Sequence, residues 1–310
     1  MKRVLITGGA GYIGSVLVPN LVSRGFHVTV IDNFLYKQSS LTSCIRSKNL
    51  EVIYGDVRDK GLMKSLVVRA DIVIPLAGIV GAPACNRDPI TAQSTNVDSV
   101  VDMFQMISKN QQILMPTTNS AYGQGESEKD CDENSPLKPL SLYARQKVLI
   151  EERLMLLENA TSFRLATVFG VSPRMRLDLL VNNFVYRAIK DQFIVLFEGN
   201  FRRNFIHLED VVQAINLAID IPSEFIGQIF NVGLSSANLT KIELCEEIKK
   251  HFPDFVYFEA ALASDPDQRD YSVSNKKIEK TGFTPKKSLQ DGILEIAKAI
   301  PMFSSGHFYN

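Results

Sequence analysis

Residues 2–24 constrain the fold more than any other stretch. Lys2-Arg3-Val4-Leu5-Ile6-Thr7 reads as a short apolar strand, and Gly8-Gly9-Ala10-Gly11-Tyr12-Ile13-Gly14 turns it sharply. Ser15 to Arg24 is mostly apolar and reads as a helix. Glycines let the backbone turn tightly and come close to a ligand, and a helix N-terminus offers unpaired N–H groups with a partial positive charge. Strand, glycine turn and helix in that order form the pattern of a dinucleotide phosphate site. Pro19 falls inside the helix; lacking an N–H and crowding the Ser15 carbonyl, it is expected to kink the helix or loosen a turn.

The alternation continues. His27-Val28-Thr29-Val30-Ile31 is β-branched and reads as a second strand, closed by Asp32. A carboxylate at that offset accepts hydrogen bonds from the adenosine ribose and repels a 2′-phosphate, which favours NAD over NADP. Alternatively, Asp32 merely starts a turn. Glu51–Tyr54 and Asp71–Pro75 are the third and fourth strands, followed by Gly55-Asp56-Val57 and Leu76-Ala77-Gly78. Pro89, after Asp88, suits a helix start, and that helix is expected to run to about Lys109. Gln112–Met115 is a fifth strand. Strands alternating with helices imply a doubly wound parallel α/β sheet of the Rossmann type. Right-handed crossovers then bring Gly8, Asp32, Asp56, Ala77 and Thr118 to one crevice.

At 310 residues the chain exceeds most single-core domains, so a large domain and a smaller lobe are expected. The boundaries predicted are 1–170 for the dinucleotide-binding domain and 171–310 for a mixed substrate lobe, with 204–232 returning to the first sheet. Acidic and basic residues balance at 34 each, which argues against a nucleic-acid or membrane-surface partner held by net charge. Cys44, Cys85, Cys131 and Cys245 lack metal-like spacing and read as reduced cytoplasmic thiols; no metal site is expected. Gly8 interrupts the first apolar run too early for a signal peptide, and no stretch is apolar enough to span a membrane.

Thr117-Thr118-Asn119-Ser120-Ala121-Tyr122-Gly123 follows the fifth strand, and Ser141-Leu142-Tyr143-Ala144-Arg145-Gln146-Lys147 lies on a helix beyond it. Tyr143 and Lys147 stand at i and i+4 and share a helix face. A phenol titrates near pH ~10, but a nearby ammonium and a charged nicotinamide both favour the phenolate, making Tyr143 a usable general base. The same spacing recurs at Tyr186 and Lys190, which read as a helix-surface pair because they lie outside the cofactor half.

At these residues the chain resembles the extended short-chain dehydrogenase/reductases, in particular the NAD-dependent nucleotide-sugar epimerase/dehydratase group. Gly8, Gly11 and Gly14 match its glycine fingerprint, although Gly9, Gly11 and Gly14 also fit the general Gly-x-Gly-x-x-Gly pattern. Thr118 matches the Ser/Thr before the Tyr122-Gly123 pair, and Tyr143 and Lys147 match the catalytic pair. The resemblance implies that NAD is held by the glycine loop with Tyr12 and Ile13, by Asp32 and Asn33, by Asp56 and Val57, by Leu76, Ala77 and Gly78, by Asn96, and by Tyr143 and Lys147. It assigns nucleotide-sugar contacts to Thr118, Asn119, Asn183 (or Asn182), Arg187, Arg203 and Arg269. Arg203 would grip the diphosphate, with Asn204 in place of the usual aspartate. Thr161–Gly170 is read as a sixth strand, and Thr240-Lys241-Ile242-Glu243 as a capping box. Paired helices in relatives imply a homodimer or an assembly of such dimers.

The family's shared step is oxidation at sugar C4. A 4,6-dehydratase adds an acid/base pair directly after the catalytic threonine, where this chain has Asn119 and Ser120, neither able to exchange protons near neutrality. That leaves a 4-epimerase or a net 4-dehydrogenase. As a whole the chain resembles bacterial enzymes that modify GDP-linked heptoses or hexoses for surface polysaccharides. A binding-only protein of this fold would be expected to lack the Tyr/Lys pair.

Overall fold

The β-branched runs form a frame whose strands point one way. The computed structural model describes residues 1–125, 129–260 and 269–303. Its strands are β1 (Arg3–Thr7), β2 (His27–Asp32), β3 (Leu50–Tyr54), β4 (Ile72–Pro75), β5 (Gln112–Thr118) and β6 (Ala160–Leu165). Then come β7 (Thr167–Phe169), β8 (Phe193–Leu196), β9 (Arg202–His207), β10 (Gln228–Val232), β11 (Asn238–Thr240) and β12 (Val256–Glu259). Seven of them make one parallel sheet in the order β10-β6-β5-β4-β1-β2-β3. β7, β9 and β11 form a separate small sheet, and β8 pairs with β12.

The first eight helices are α1 (Gly14–Ser23), α2 (Lys60–Val67), α3 (Ala82–Arg87), α4 (Pro89–Gln93), α5 (Ser99–Met106), α6 (Leu142–Leu154), α7 (Leu180–Lys190) and α8 (Leu208–Asp220), and both faces of the large sheet are covered by helices. Side chains alternate along a strand, and the two parities meet different helices. Val4, Ile6, Val28, Val30, Ile72 and Ile74 pack with Leu17 and Leu21 of α1 and Ile215 of α8. Leu5, Ile31, Val73, Ile113 and Met115 pack with Leu66 of α2, Phe104 of α5 and Ile150 of α6. Each fully buried side chain of this size contributes roughly 1.5–3 kcal/mol, so both faces anchor the frame.

Three details differ from the sequence reading. Pro19 sits inside an unbroken α1. The helix expected over 89–109 is α4, a π-helical turn at Ser94–Asp98, and α5, which ends at Met106. The single strand expected over 161–170 is two. Ala166 N donates to Val232 O of β10 at 2.9 Å, and beyond it the chain leaves the large sheet to pair with β9. Of residues 204–232, Gln228–Val232 joins the large sheet beside β6, whereas Arg202–His207 pairs with β7 and β11.

Candidate active site

The strand order reverses between β1 and β4, and their C-terminal ends therefore part to form a crevice. A cleft of about 380 Å³ opens there, and Gly8, Asp32, Asp56, Ala77 and Thr118 all line it. Gly8 has φ +66°, and a Cβ on it would lie 2.6 Å from the Ala77 backbone. A Cβ on Gly14 would meet Gly9 O at 2.4 Å, so the loop can fold against the strand ends only with glycine at both positions. α1 starts at Gly14 with no side chain capping it; the amides of Ser15, Val16 and Leu17 donate to Gly11 O and Ile13 O, so the helix offers the positive end of its dipole, rather than those amides, to the cleft wall formed by Gly11, Tyr12 and Ile13. This cradle fits a dinucleotide diphosphate.

Asp32 starts the turn after β2, and it also lines the cleft. Its carboxylate accepts from Ala10 N (3.0 Å) and Phe34 N (2.8 Å), bracing the glycine loop and the turn after β2, and it faces the cleft. Burial raises its pKa, and the two backbone bonds oppose that rise. Asn33 and Val57 line the same end. Asp56 is gripped by Arg58, whose guanidinium lowers its pKa.

Thr118, Tyr143 and Lys147 line the other end of the cleft. Ser141 caps α6, accepting from Ala144 N at 3.2 Å, and this places Tyr143 and Lys147 on the first turns above β5. Lys147 Nζ donates to Pro116 O (3.3 Å). Thr118 Oγ1 bonds Ser120 Oγ (2.8 Å), and Arg269 Nη1 donates to the same Ser120 hydroxyl. The protein alone, without the charged nicotinamide that the expectation included, does not favour the phenolate. Burial pushes the Tyr143 phenol up to about 12, and the Arg176 and Arg269 guanidiniums pull it down only partly. Burial also lowers Lys147 to about 8. Leu76, Ala77 and Gly78 complete the wall. Tyr186 and Lys190 lie on α7 and are not among the cleft-lining residues.

Five expected site residues stand outside the lining. Asn96, in the π-helical turn, accepts from Ile79 N (2.8 Å) and donates to Ile79 O and to Gln146 Oε1 (both 2.9 Å). It thus pins the loop after β4 to the helix carrying Tyr143. Asn119 is buried in the turn after Thr118. Asn183 Nδ2 donates to Leu177 O, and Arg187 is paired with Asp191 on α7. Arg203 is buried with its guanidinium over the Tyr271 ring. Asn182, the reserve for Asn183, bonds Gly170 N and Tyr12 Oη, tying the glycine loop to the loop after β7. That loop supplies two cleft residues the sequence reading omitted, Arg174 and Arg176, and the segment after β2 supplies a third, Tyr36. The signal was partial: Arg174 and Arg176 follow the stretch 161–170, of which only β6 belongs to the large sheet whose strand ends form the crevice.

Among the described residues, no helix is long and apolar enough to cross a membrane, and no group of three or more His, Cys, Asp or Glu side chains is placed to hold a metal ion. All four cysteines are free thiols.

The chain is 27% identical over 305 residues to UDP-glucuronic acid decarboxylase 1 of Arabidopsis thaliana, covering 94% of this chain and 68% of that protein. It is 32% identical over 246 residues to UDP-N-acetyl-alpha-D-glucosaminuronate decarboxylase of Bacillus cytotoxicus, covering 75% of each. Its fold matches that of UDP-glucuronic acid 4-epimerase from Bacillus cereus, solved with UDP-glucuronic acid and NAD, with a TM-score of 0.83 at 22% identity over 97% of this chain and 99% of that one. A model of the NAD dependent epimerase/dehydratase family matches residues 4–233, a span that holds the glycine loop, Thr118, Tyr143 and Lys147. The chain belongs to the NAD dependent epimerase/dehydratase family.

Proposed function

We propose that this enzyme uses NAD to move a hydride at C4 of a nucleotide-linked sugar, and that its net reaction is 4-dehydrogenation of a GDP-linked heptose or hexose in bacterial surface-polysaccharide synthesis. One observation carries the C4 reading: among the described lining residues, the groups beside Thr118 that can exchange a proton are Tyr143 and Lys147. Among the described lining residues the carboxylates are Asp32 and Asp56, both at the β2–β3 end, and no histidine or cysteine lines the cleft. Ser120 occupies the turn where a dehydratase needs a carboxylate. A bound nicotinamide would accept the hydride and, when oxidised, add a positive charge beside Tyr143. Thr118 and Tyr143 hydrogen-bond the C4 hydroxyl; Tyr143 takes its proton and Lys147 holds the ribose. Arg176 and Arg269 favour an anionic substrate and the phenolate of Tyr143. The GDP-heptose assignment rests on whole-chain likeness and not on a residue of the cleft. Exposed Leu149 and Leu156, on and just past α6, suit pairing of that helix across a dimer axis, in a cytoplasmic homodimer or tetramer.

The second reading is a nucleotide-sugar 4-epimerase, which needs the same three residues and which the Bacillus cereus fold relative favours by name. Tyr143→Phe tests what the two share. It should lower turnover about 10²–10⁴-fold while NADH still binds, as read by NADH fluorescence. Turnover equal to wild type would remove Tyr143 from the chemistry.

A further inference from the structure

The turn that carries Thr118 is held from the C-terminal part of the chain. Asp270 N donates to Gly123 O (3.0 Å) and Gly125 N donates to Asp270 O (2.8 Å), so the backbone at Asp270 runs bonded along the residues that end the turn. Asp270 is itself fixed, its Oδ1 accepting from Arg202 N (2.8 Å) at the start of β9. The ring of Tyr271 packs edge-on against Tyr122, with centroids 6.0 Å apart. Arg269 is thereby brought to the cleft, where its Nη1 donates to Ser120 Oγ.

Ser120 passes that anchorage on to Thr118. Its N–H donates to Thr118 Oγ1 (3.1 Å), and its Oγ accepts from Thr118 Oγ1 (2.8 Å). A threonine side chain has three staggered positions, which exchange the places of hydroxyl and methyl. Two bonds to one residue select the position in which the Thr118 hydroxyl lies against Ser120. With Arg269 also donating, both lone pairs of the Ser120 hydroxyl are taken, so the serine cannot turn away without losing both partners. Thr118 and Ser120 are buried, so water does not readily replace a bond lost here.

We infer that Ser120 is a positioning residue for the C4 chemistry: clamped by Arg269, it holds the Thr118 hydroxyl in the one orientation from which it meets the C4 oxygen. This rests on the C4 reading above and deepens it. The turn position that carries a carboxylate in a dehydratase here serves geometry instead of proton transfer, and the segment at Arg269 and Asp270 completes the catalytic turn from the far end of the chain.

Steady-state turnover tests this, with product mass as the readout and, as substrate, whichever of a set of GDP-, UDP- and dTDP-linked heptoses and hexoses the wild type converts fastest. Ser120→Ala should lower kcat about tenfold, because Thr118 is misplaced, and leave KM within about twofold. NADH fluorescence on the same variant should show wild-type affinity, which separates lost positioning from a folding defect. Ser120→Thr keeps the hydroxyl and should stay within about threefold of wild-type kcat. In a Thr118→Ala background, Ser120→Ala should change kcat by less than about twofold, since the group it positions is gone. Wild-type kcat in Ser120→Ala would overturn the inference. So would a loss expressed in KM alone, a Ser120→Thr variant no better than Ser120→Ala, or the full loss of about tenfold recurring in the Thr118→Ala background. Turnover equal to wild type in Thr118→Ala itself would instead overturn the C4 reading, and this inference with it.

Discussion

Tyr143 and Lys147 share one face of α6, and without a ligand burial acts on both. It favours the neutral form of each, so the phenol titrates near 12 and the ammonium near 8. The sign follows directly: below about 8 Lys147 is charged, and the phenolate becomes populated only as pH rises towards 12. Ultraviolet difference titration of nucleotide-free wild type against Tyr143→Phe should therefore show no additional tyrosinate below pH ~10, the ordinary range for a phenol. A step near neutrality would mean that the protein alone activates Tyr143. The Tyr-x-x-x-Lys spacing was legible in the sequence, but it occurs twice, and only the position of Tyr143 after β5 separates the copies. The shifts themselves were not legible, because they depend on how densely distant segments surround the pair.

The elements around Thr118 are locked from beneath. Glu151, one turn beyond Lys147 on α6, accepts from Thr117 Oγ1 (3.1 Å), Ser162 Oγ (2.6 Å) and Arg164 Nη2 (2.6 Å). Arg164 Nη1 donates to Tyr122 Oη (3.0 Å), and Tyr122 Oη donates to Asn231 Oδ1 (2.7 Å). The network ties the helix carrying Tyr143 to the turn carrying Thr118. Arg164 and Glu151 are both almost fully buried, so Arg164→Ala leaves an uncompensated carboxylate and should cost about 3–5 kcal/mol in urea unfolding. A loss under ~1 kcal/mol, the range of exposed pairs, would show that the pair is not sealed. Gly123 limits the same turn: with φ +65°, a Cβ there would lie 1.8 Å from Lys138 O. The sequence marked Arg164 only as a strand residue, since nothing local in it names partners on α6 and in the turn after β5. The protein partners of Asn96 were not legible for a related reason. Its place in a π-helical turn aims it at Ile79 and Gln146, and helical periodicity does not encode that detour.

For the whole molecule, the parallel sheet was readable because strands and helices alternate and crossovers have one hand. The crevice followed from that rule, which is why Gly8, Asp32, Asp56, Ala77 and Thr118 met there. The break at Ala166 was not readable, since it depends on a backbone bond to Val232, a residue much later in the chain. Arg187 and Asn183 fell outside the cleft lining because α7 turns them to Asp191 and Leu177 O. The central claim is that a cleft whose described lining holds Thr118, Tyr143 and Lys147 with no carboxylate beside them changes the oxidation state or configuration at C4 and nothing else. The direct measurement is product mass, with NADH absorbance, after incubation with a panel of GDP-, UDP- and dTDP-linked sugars. Loss of two hydrogens with NADH formed is the predicted result, and unchanged mass with inverted C4 would select the epimerase. Loss of water or of carbon dioxide would contradict the account.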